Sequence, residues 1–193
     1  MDSQNLERDA RDLHQRATDA FGQHVRAIRD DQWNAPTPCS EWDVRRLLNH
    51  VVAEMRWSPP LLEGRTIAEV GDRFDGDVLG ADAKAAWDDS AAEAVAAVYA
   101  DGSMERTVHL SFGDFPGREY TMQLFTDLLI HGWDLARGIG DDARLDPELV
   151  EACGNWLAPI EEAYRVGGAV GPRVSLPAQA DAQARLLAMF GRR

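Results

Sequence analysis

Cysteine and positive charge are both scarce in this chain of 193 residues. It has two cysteines, Cys39 and Cys153, too few for a disulfide framework or a zinc site of paired cysteines. Lysine and arginine together number 20, against 33 aspartates and glutamates, which gives a net charge of −13. Nucleic acid and anionic membrane surfaces would repel such a chain, so we expect neither as its main partner.

Long apolar runs and export signals are also missing. No run of 18 apolar residues occurs, so no membrane span is predicted. The polar, acidic start from Met1 to Glu7 predicts no signal peptide. These absences favour a cytoplasmic protein, and the length favours a single domain over residues 1–193.

Several common functional motifs are absent as well. The chain has no nucleophile elbow of the Gly-x-Ser-x-Gly type and no phosphate-binding Gly-x-x-x-x-Gly-Lys loop. Asp72, Asp75 and Asp77 lie in a loop rich in Gly and Asp, but no Glu closes the twelve-residue pattern of a calcium-binding loop. The sequence therefore points away from serine hydrolases, nucleotide-binding loops and calcium sites.

Apolar residues at helical spacing dominate the rest of the chain. We expect Ser40 to cap the second helix and Pro59-Pro60 to interrupt or end it. Strict alternation predicts a strand over Thr107–Phe112, and Arg118 to Tyr120 is expected to pair back with it after a turn. The architecture is then an all-α four-helix bundle with a small β-hairpin before the fourth helix. Helices are predicted over residues 4–30, 44–58, 81–100, 121–137, 147–166 and 182–190, with a bend at Pro159.

The fourth predicted helix carries an unusual polar wedge. Most of its circumference is apolar, which is typical of a helix that is largely buried. The remaining narrow side holds Asp127, His131 and Asp134, at spacings i, i+4 and i+7. Buried groups of this kind need hydrogen bonds, a counter-charge or a metal ion. An Asp and a His one turn apart can ligate one metal, although such a pair by itself is commonly solvated or makes a single hydrogen bond.

A third ligand would have to come from another histidine. His14 and His24 sit among arginines in a charged helix, which suits surface positions, and His109 is on the polar side of a strand. His50 differs, because it lies at the edge of an apolar stripe in the second helix. Its spacing alone favours a core-edge histidine bonded to a carbonyl group. Glu54, one turn later, is a candidate ligand or a hydrogen-bond acceptor for one.

Both cysteines have ordinary interpretations. Cys39 precedes a helix N-terminus, where a thiol pKa is lowered by the helix dipole, but its surroundings favour a partly buried small residue. Cys153 has apolar neighbours at helical spacing and is expected in the core.

Taken together, His50 and the Asp127/His131 pair resemble a known family. The chain is similar to the DinB-like metal-binding superfamily, in the branch typified by the N-terminal domain of mycothiol-dependent maleylpyruvate isomerase, and to an actinobacterial subfamily known only as metal-binding. The segments that carry the resemblance are Asp31–Trp33, Thr37–Val44, Leu48–Val52, Asp127–Arg137 and Ala182–Arg192.

The resemblance implies a four-helix bundle with a divalent metal ion at one end, zinc as the first expectation and nickel as the second. It implies His50, Asp127 and His131 as the ligands, and a low-molecular-weight thiol such as mycothiol as cosubstrate. The isomerase has Glu where this chain has Asp127. Because Asp is shorter, the helix would have to sit closer to the ion, or the ion would have to shift.

The leading functional hypothesis is a metal-dependent thiol transferase or isomerase that acts on a small molecule. Asp134 is expected to orient a ligand or a bound group, and Arg137 is a weaker candidate for meeting an anionic substrate. The alternatives are a non-catalytic, metal-stabilised module that binds a small ligand, and a wedge satisfied by hydrogen bonds without any metal. A homodimer is a further expectation, by analogy with other bundles.

Overall fold

The computed structural model describes residues 3–40, 42–168 and 170–193, with side chains from Ala10 onward. The chain is mostly helical, with one two-stranded antiparallel hairpin, so the predicted all-α class is confirmed. In the described residues, no helix has the length and apolar character needed to cross a membrane. The elements are α1 (Ser3–Ala27), a 3-10 turn (Asp30–Gln32), α2 (Val44–Leu62), α3 (Ile67–Val70), α4 (Ala83–Tyr99), β1 (Thr107–Leu110), β2 (Gly113–Pro116), α5 (Gly117–Ile139), α6 (Pro147–Leu157), α7 (Glu161–Val166) and α8 (Ala182–Met189).

The first compact unit, up to Asp141, is a four-helix bundle, as the sequence predicts. Helix α1 packs on α4 and α5, and α2 packs on the same two helices. Phe21, Leu47, Trp87 and Phe125 are completely buried, one from each helix. Each helix therefore buries an apolar stripe in one core, which is what their 3.6-residue spacing predicts.

The second compact unit covers residues 142–193 and contains α6, α7 and α8. Asp146 caps α6 as predicted, and Cys153 is completely buried, as expected for a core residue. The chain does more than bend at Pro159, because α6 ends at Leu157 and α7 begins at Glu161. Proline offers no N–H to continue the helical hydrogen bonds. That residues 1–193 form one domain stays a prediction.

Both predicted boundaries of α2 need correction. The N-cap is Asp43 rather than Ser40, since the Asp43 side chain accepts a hydrogen bond of 2.8 Å from the Arg46 N–H; Glu41, between them, lies outside the described residues. The helix also continues through Pro59 and Pro60 to Leu62. The Ser58 hydroxyl donates to the Met55 carbonyl, the acceptor that an N–H at position 59 would otherwise reach.

The hairpin is tighter than predicted. β1 ends at Leu110, and β2 occupies the segment that was expected to be a turn, pairing Leu110 with Gly113. Helix α5 already begins at Gly117, so the prediction of a strand from Arg118 to Tyr120 was wrong. A Cβ atom at Gly117 would lie 1.8 Å from the Ser103 carbonyl oxygen, so only glycine lets the helix start this close to the preceding loop.

His14 is the other correction, because it was expected at the surface and is completely buried. Neither of its ring nitrogens has a hydrogen-bond partner in the described part of the chain. Burial lowers the pKa of His14 to about 4, so the imidazole is neutral at pH 7. The arginines that suggested exposure lie on neighbouring positions, and the imidazole faces the bundle core instead.

Candidate metal centre

The polar wedge of α5 faces α2, and His50 lies opposite it. The Nε2 atom of His50 is 3.4 Å from Oδ2 of Asp127, and Nε2 of His131 is 3.4 Å from Oδ1 of the same carboxylate. One ligand atom from each residue lies within 4.8 Å of the others. The packing of α2 on α5 therefore brings together the three residues named from the sequence.

The geometry of this triad suits a divalent cation. Zinc binds imidazole and carboxylate at about 2.0–2.2 Å in a tetrahedron, which puts neighbouring ligand atoms about 3.3–3.5 Å apart. The two nitrogen–oxygen distances fall in that range and exceed the usual length of a hydrogen bond. Oδ2 of Asp127 is buried and makes no hydrogen bond to any described residue. A buried carboxylate oxygen without a donor is costly, and a metal ion would supply its missing partner.

A second layer of contacts fixes the orientation of His131. Its Nδ1 atom lies 3.1 Å from Oδ2 of Asp134, whose side chain is completely buried. The Cys39 thiol donates to the same Asp134 oxygen at 3.4 Å, and its sulfur is 4.0 Å from Nδ1 of His131. Cys39, His131 and Asp134 thus form a second cluster of potential ligands, and it shares His131 with the first.

Trp42 covers both histidines from the loop that precedes α2. Its ring centroid is 4.6 Å from that of His50 and 5.6 Å from that of His131. The loop packs tightly against α5 at Gly138, because a Cβ atom at that position would lie only 3.0 Å from a Thr37 methyl group. These contacts restrict rotation of the two imidazoles.

The charges of the cluster are strongly coupled. Burial alone would raise the pKa of Asp127, but the imidazoles of His131 and His50 outweigh it and hold that pKa well below its usual range. Burial likewise opposes protonation of His131, yet Asp127, Asp134 and Cys39 raise its pKa well above the ordinary value. The Asp127 carboxylate is therefore held in its charged form, in which it attracts a cation.

The remaining candidates have different surroundings. Glu54 lies one turn after His50, and burial together with the Asp127 charge raises its pKa. Arg137 is exposed, with its guanidinium 5.8 Å from the centre of the Trp133 ring, and no described contact links it to the triad. His24 is bonded to Asp141 and His109 to Asp114, both outside the centre.

A large cavity opens beside His50. Its volume is about 770 Å³, and its walls come from α2 and from the loop over residues 74–77. Asn49 ties this loop to the helix, donating to the Gly76 carbonyl and accepting from the Val78 N–H, each at 2.9 Å. Arg45 bonds Asp77 across the same gap. Together with Trp42, these groups give a mixed polar and aromatic wall beside the candidate ligands.

Two site residues escaped the sequence analysis. Trp42 precedes the helix, so no periodicity indicates that its ring would cover the histidines. Tyr120 is seven residues before Asp127, a spacing that places both on one helix face. Burial, together with the charges of Glu54 and Asp127, raises the pKa of its hydroxyl, so the ring lies close to the site. That signal was available, but the expected strand over Arg118 to Tyr120 hid it.

Comparison with known proteins found one matching family and two similar proteins. Residues 14–136 match the model of the mycothiol maleylpyruvate isomerase N-terminal domain. Uncharacterized proteins from two strains of Mycobacterium tuberculosis are each 39% identical over 140 residues, which is 70% of this chain and 70% of theirs. No solved structure matches the chain. The matched segment includes all three residues of the triad.

Proposed function

This chain belongs to the family of the mycothiol maleylpyruvate isomerase N-terminal domain, and from that premise we propose that it is a metal-dependent enzyme acting on a small thiol. His50, Asp127 and His131 would hold a divalent cation, with zinc expected first and nickel second. The thiol would be mycothiol or a close analogue, and the reaction a thiol transfer or a thiol-dependent isomerisation of a small molecule. We further propose that the protein acts in the cytoplasm and pairs as a homodimer.

The observation that carries this proposal is the spacing within the triad. Asp127 presents one oxygen to each imidazole at 3.4 Å, and the buried Oδ2 has no hydrogen bond among the described residues. Three protein ligands with an open position are typical of catalytic rather than structural zinc sites. The side chains of His50 and Asp127 are 30% and 34% exposed, so a small molecule can approach from their side.

A divalent ion held there would supply one chemical effect, keeping a bound thiol in its nucleophilic, deprotonated form near neutral pH. The chain's own residues do the rest. With an ion bound, Asp134 would accept a hydrogen bond from Nδ1 of His131 and so would keep the Nε2 lone pair directed at the centre of the triad. The Trp42 ring packs against both imidazoles and restricts their rotation. Glu54, with its raised pKa, is placed to hold or release a proton beside Asp127.

We propose that the thiol binds in the large cavity. Its volume of about 770 Å³ lies within the range usual for small-molecule sites. Trp42 offers an aromatic face, whereas Arg45 and Asn49 offer hydrogen-bonding groups to a hydroxylated molecule. His50 lines the same cavity, so a sulfur atom bound there would lie beside the triad.

The first test is the metal content of untagged protein, measured by mass spectrometry. We expect about one equivalent of zinc or nickel in the parent and little in His50→Ala or His131→Ala. His109→Ala, on the hairpin, is the matched control and should keep its metal. A parent that holds no metal and takes none up from zinc or nickel solutions would remove the mechanism and leave the fold unaffected.

The thiol is tested separately by loading the protein with cobalt. Binding of mycothiol through sulfur should add intense charge-transfer absorption, and an alcohol analogue of the thiol should add none. Absence of the new bands at saturating mycothiol would contradict the thiol proposal. Bands without turnover of any thiol-dependent substrate would favour the alternative of a non-catalytic binding module.

A further inference from the structure

The second ligand cluster, made of Cys39, His131 and Asp134, meets the edge of the His131 ring that faces away from the triad. Nε2 of this imidazole lies 3.4 Å from Asp127. Its Nδ1 atom lies 3.1 Å from Oδ2 of Asp134 and 4.0 Å from Sγ of Cys39. The lone pairs of the two ring nitrogens diverge, and each nitrogen can ligate a metal. An ion bound to Nε2 therefore leaves Nδ1 able to bind a second ion.

The distances within the second cluster are close to those of a small metal site. Zinc binds sulfur at about 2.3 Å and nitrogen or oxygen at about 2.0–2.2 Å, so neighbouring ligand atoms of a tetrahedral site lie about 3.3–3.6 Å apart. Here Sγ of Cys39 is 3.4 Å from Oδ2 of Asp134, and the other two separations are 3.1 and 4.0 Å. Small side-chain movements would bring all three atoms within bonding distance of one ion.

The surrounding chain holds the three ligands in place. The carbonyl oxygen of Cys39 accepts hydrogen bonds from the Trp42 N–H at 2.8 Å and from the Thr37 hydroxyl at 3.3 Å. On α5, the side chain of Asp134 has no exposed surface and that of His131 is 9% exposed. Cys39 is half-buried, so the cluster reaches the protein surface at this residue. A cation would find its ligands already assembled.

The ligand types indicate the class of ion. Thiolate sulfur selects zinc or copper(I), whereas magnesium and calcium prefer sites built from oxygen ligands. Binding would release the thiol proton of Cys39 and the proton on Nδ1 of His131 to solvent, because only the deprotonated forms coordinate a metal. The carboxylates of Asp127 and Asp134 flank the shared ring, and their negative charges would offset part of the charge of two neighbouring ions.

We propose that Cys39, His131 and Asp134 form a second cation site, which takes a thiophilic metal ion through Sγ, Nδ1 and Oδ2. The site is distinct from the triad, because it uses neither His50 nor Asp127 and meets the other nitrogen of the shared ring. An ion bound there would replace the hydrogen bond between His131 and Asp134. The inference goes beyond the proposed function and requires neither a thiol substrate nor an ion at the triad.

The test is a titration of metal-free, full-length protein with cadmium, a thiophilic divalent ion whose bond to a cysteine thiolate absorbs in the ultraviolet. The triad contains no sulfur, so cadmium bound there adds no such absorption. We expect the band to rise to saturation in the parent and to be lost in Cys39→Ser. Cys153→Ala is the matched control, because Cys153 is the other cysteine of the chain and is completely buried on α6. It should titrate as the parent does.

Two further variants identify the partners of the thiol. Asp134→Asn should bind cadmium at least about tenfold more weakly, because it removes one negative charge at contact distance from the ion. His50→Ala alters the triad and leaves the second cluster intact, so its cadmium band should saturate as in the parent. Circular dichroism and the melting temperature check that each variant folds.

The outcomes separate this site from the triad. A band that is lost in Cys39→Ser, weakened in Asp134→Asn and unchanged in the other two variants supports the proposal, whether or not the parent holds zinc at the triad. No band in the parent, or a band that survives in Cys39→Ser, would overturn it. Unchanged affinity in Asp134→Asn would mean that the thiol binds cadmium without the cluster, and weaker affinity in His50→Ala would assign the ion to the triad. Either result contradicts a separate site.

Discussion

The Nδ1 atom of His131 lies 3.1 Å from Oδ2 of Asp134, an aspartate with no exposed surface, while Nε2 of the same ring faces Asp127. One imidazole therefore joins a buried carboxylate to the candidate metal centre. A histidine that donates through one nitrogen has its other lone pair fixed in direction, and the donated hydrogen bond makes that lone pair more basic. Asp134 thus acts on the centre without touching it.

Asp134→Asn tests this relationship. Asparagine keeps the shape and an acceptor oxygen but removes the negative charge, so zinc affinity should fall about 10- to 100-fold. The measurement is competition against a chromogenic chelator. Asp114→Asn, which alters the Asp114–His109 pair on the hairpin, is the matched control and should bind zinc as the parent does. Equal affinities in both variants would show that Asp134 has no influence on the site.

Asn49→Ala should weaken thiol binding without reducing metal content. The variant loses both hydrogen bonds to the loop over residues 76–78, and that loop is a wall of the large cavity. We expect mycothiol affinity to fall about tenfold, on the scale of one or two lost hydrogen bonds. It is measured by titrating the cobalt-loaded protein. Exposed Asn34→Ala is the control, and a loss of metal in Asn49→Ala would instead place Asn49 in support of the triad.

We expect the buried His14 to make the folding stability of the bundle sensitive to acid. Its pKa is about 4 in the folded protein against 6.5 for an unperturbed histidine, so the unfolded chain binds more protons between these values. The contribution of the neutral imidazole to the free energy of unfolding is fully present above pH 6.5. It is lost as the pH falls from 6.5 towards 4. The difference of about 2.5 pKa units corresponds to about 3 kcal/mol at the acidic end.

Chemical denaturation of the parent and of His14→Leu at several pH values measures this effect. Subtracting the two unfolding free energies should isolate the contribution of His14, with the variant gaining relative stability by about 3 kcal/mol from pH 7 to pH 4. If the unfolding free energies of the parent and the variant changed with pH in the same way, the prediction would be contradicted.

Gly117→Ala should destabilise the bundle by more than about 2 kcal/mol. The new Cβ would lie 1.8 Å from the Ser103 carbonyl oxygen, so the start of α5 or the preceding loop has to move. Gly132→Ala in the same helix is the matched control, because its Cβ would meet only a Phe21 ring carbon at an ordinary 3.7 Å. Urea unfolding of both variants distinguishes a clash from a general effect of alanine in α5, which would make the two shifts equal.

Much of the fold could be predicted from the sequence because local patterns carry it. The apolar stripes of α1, α2, α4 and α5 have helical spacing, and the bundle buries them as that spacing predicts. The errors fall where one particular contact overrides the usual preference of a residue type. Ser58 satisfies the Met55 carbonyl and lets α2 pass through two prolines. Gly117 fits beneath the Ser103 carbonyl and starts α5 four residues early.

For the candidate site, the sequence by itself determined which side chains share a face. Asp127, His131 and Asp134 lie on one side of any helix that contains them, because 3.6 residues make a turn. Only the tertiary structure decided what stands opposite. His50, Trp42 and Cys39 reach that face from α2 and its preceding loop. Periodicity fixes directions within one helix, but distances between helices depend on how their surfaces pack.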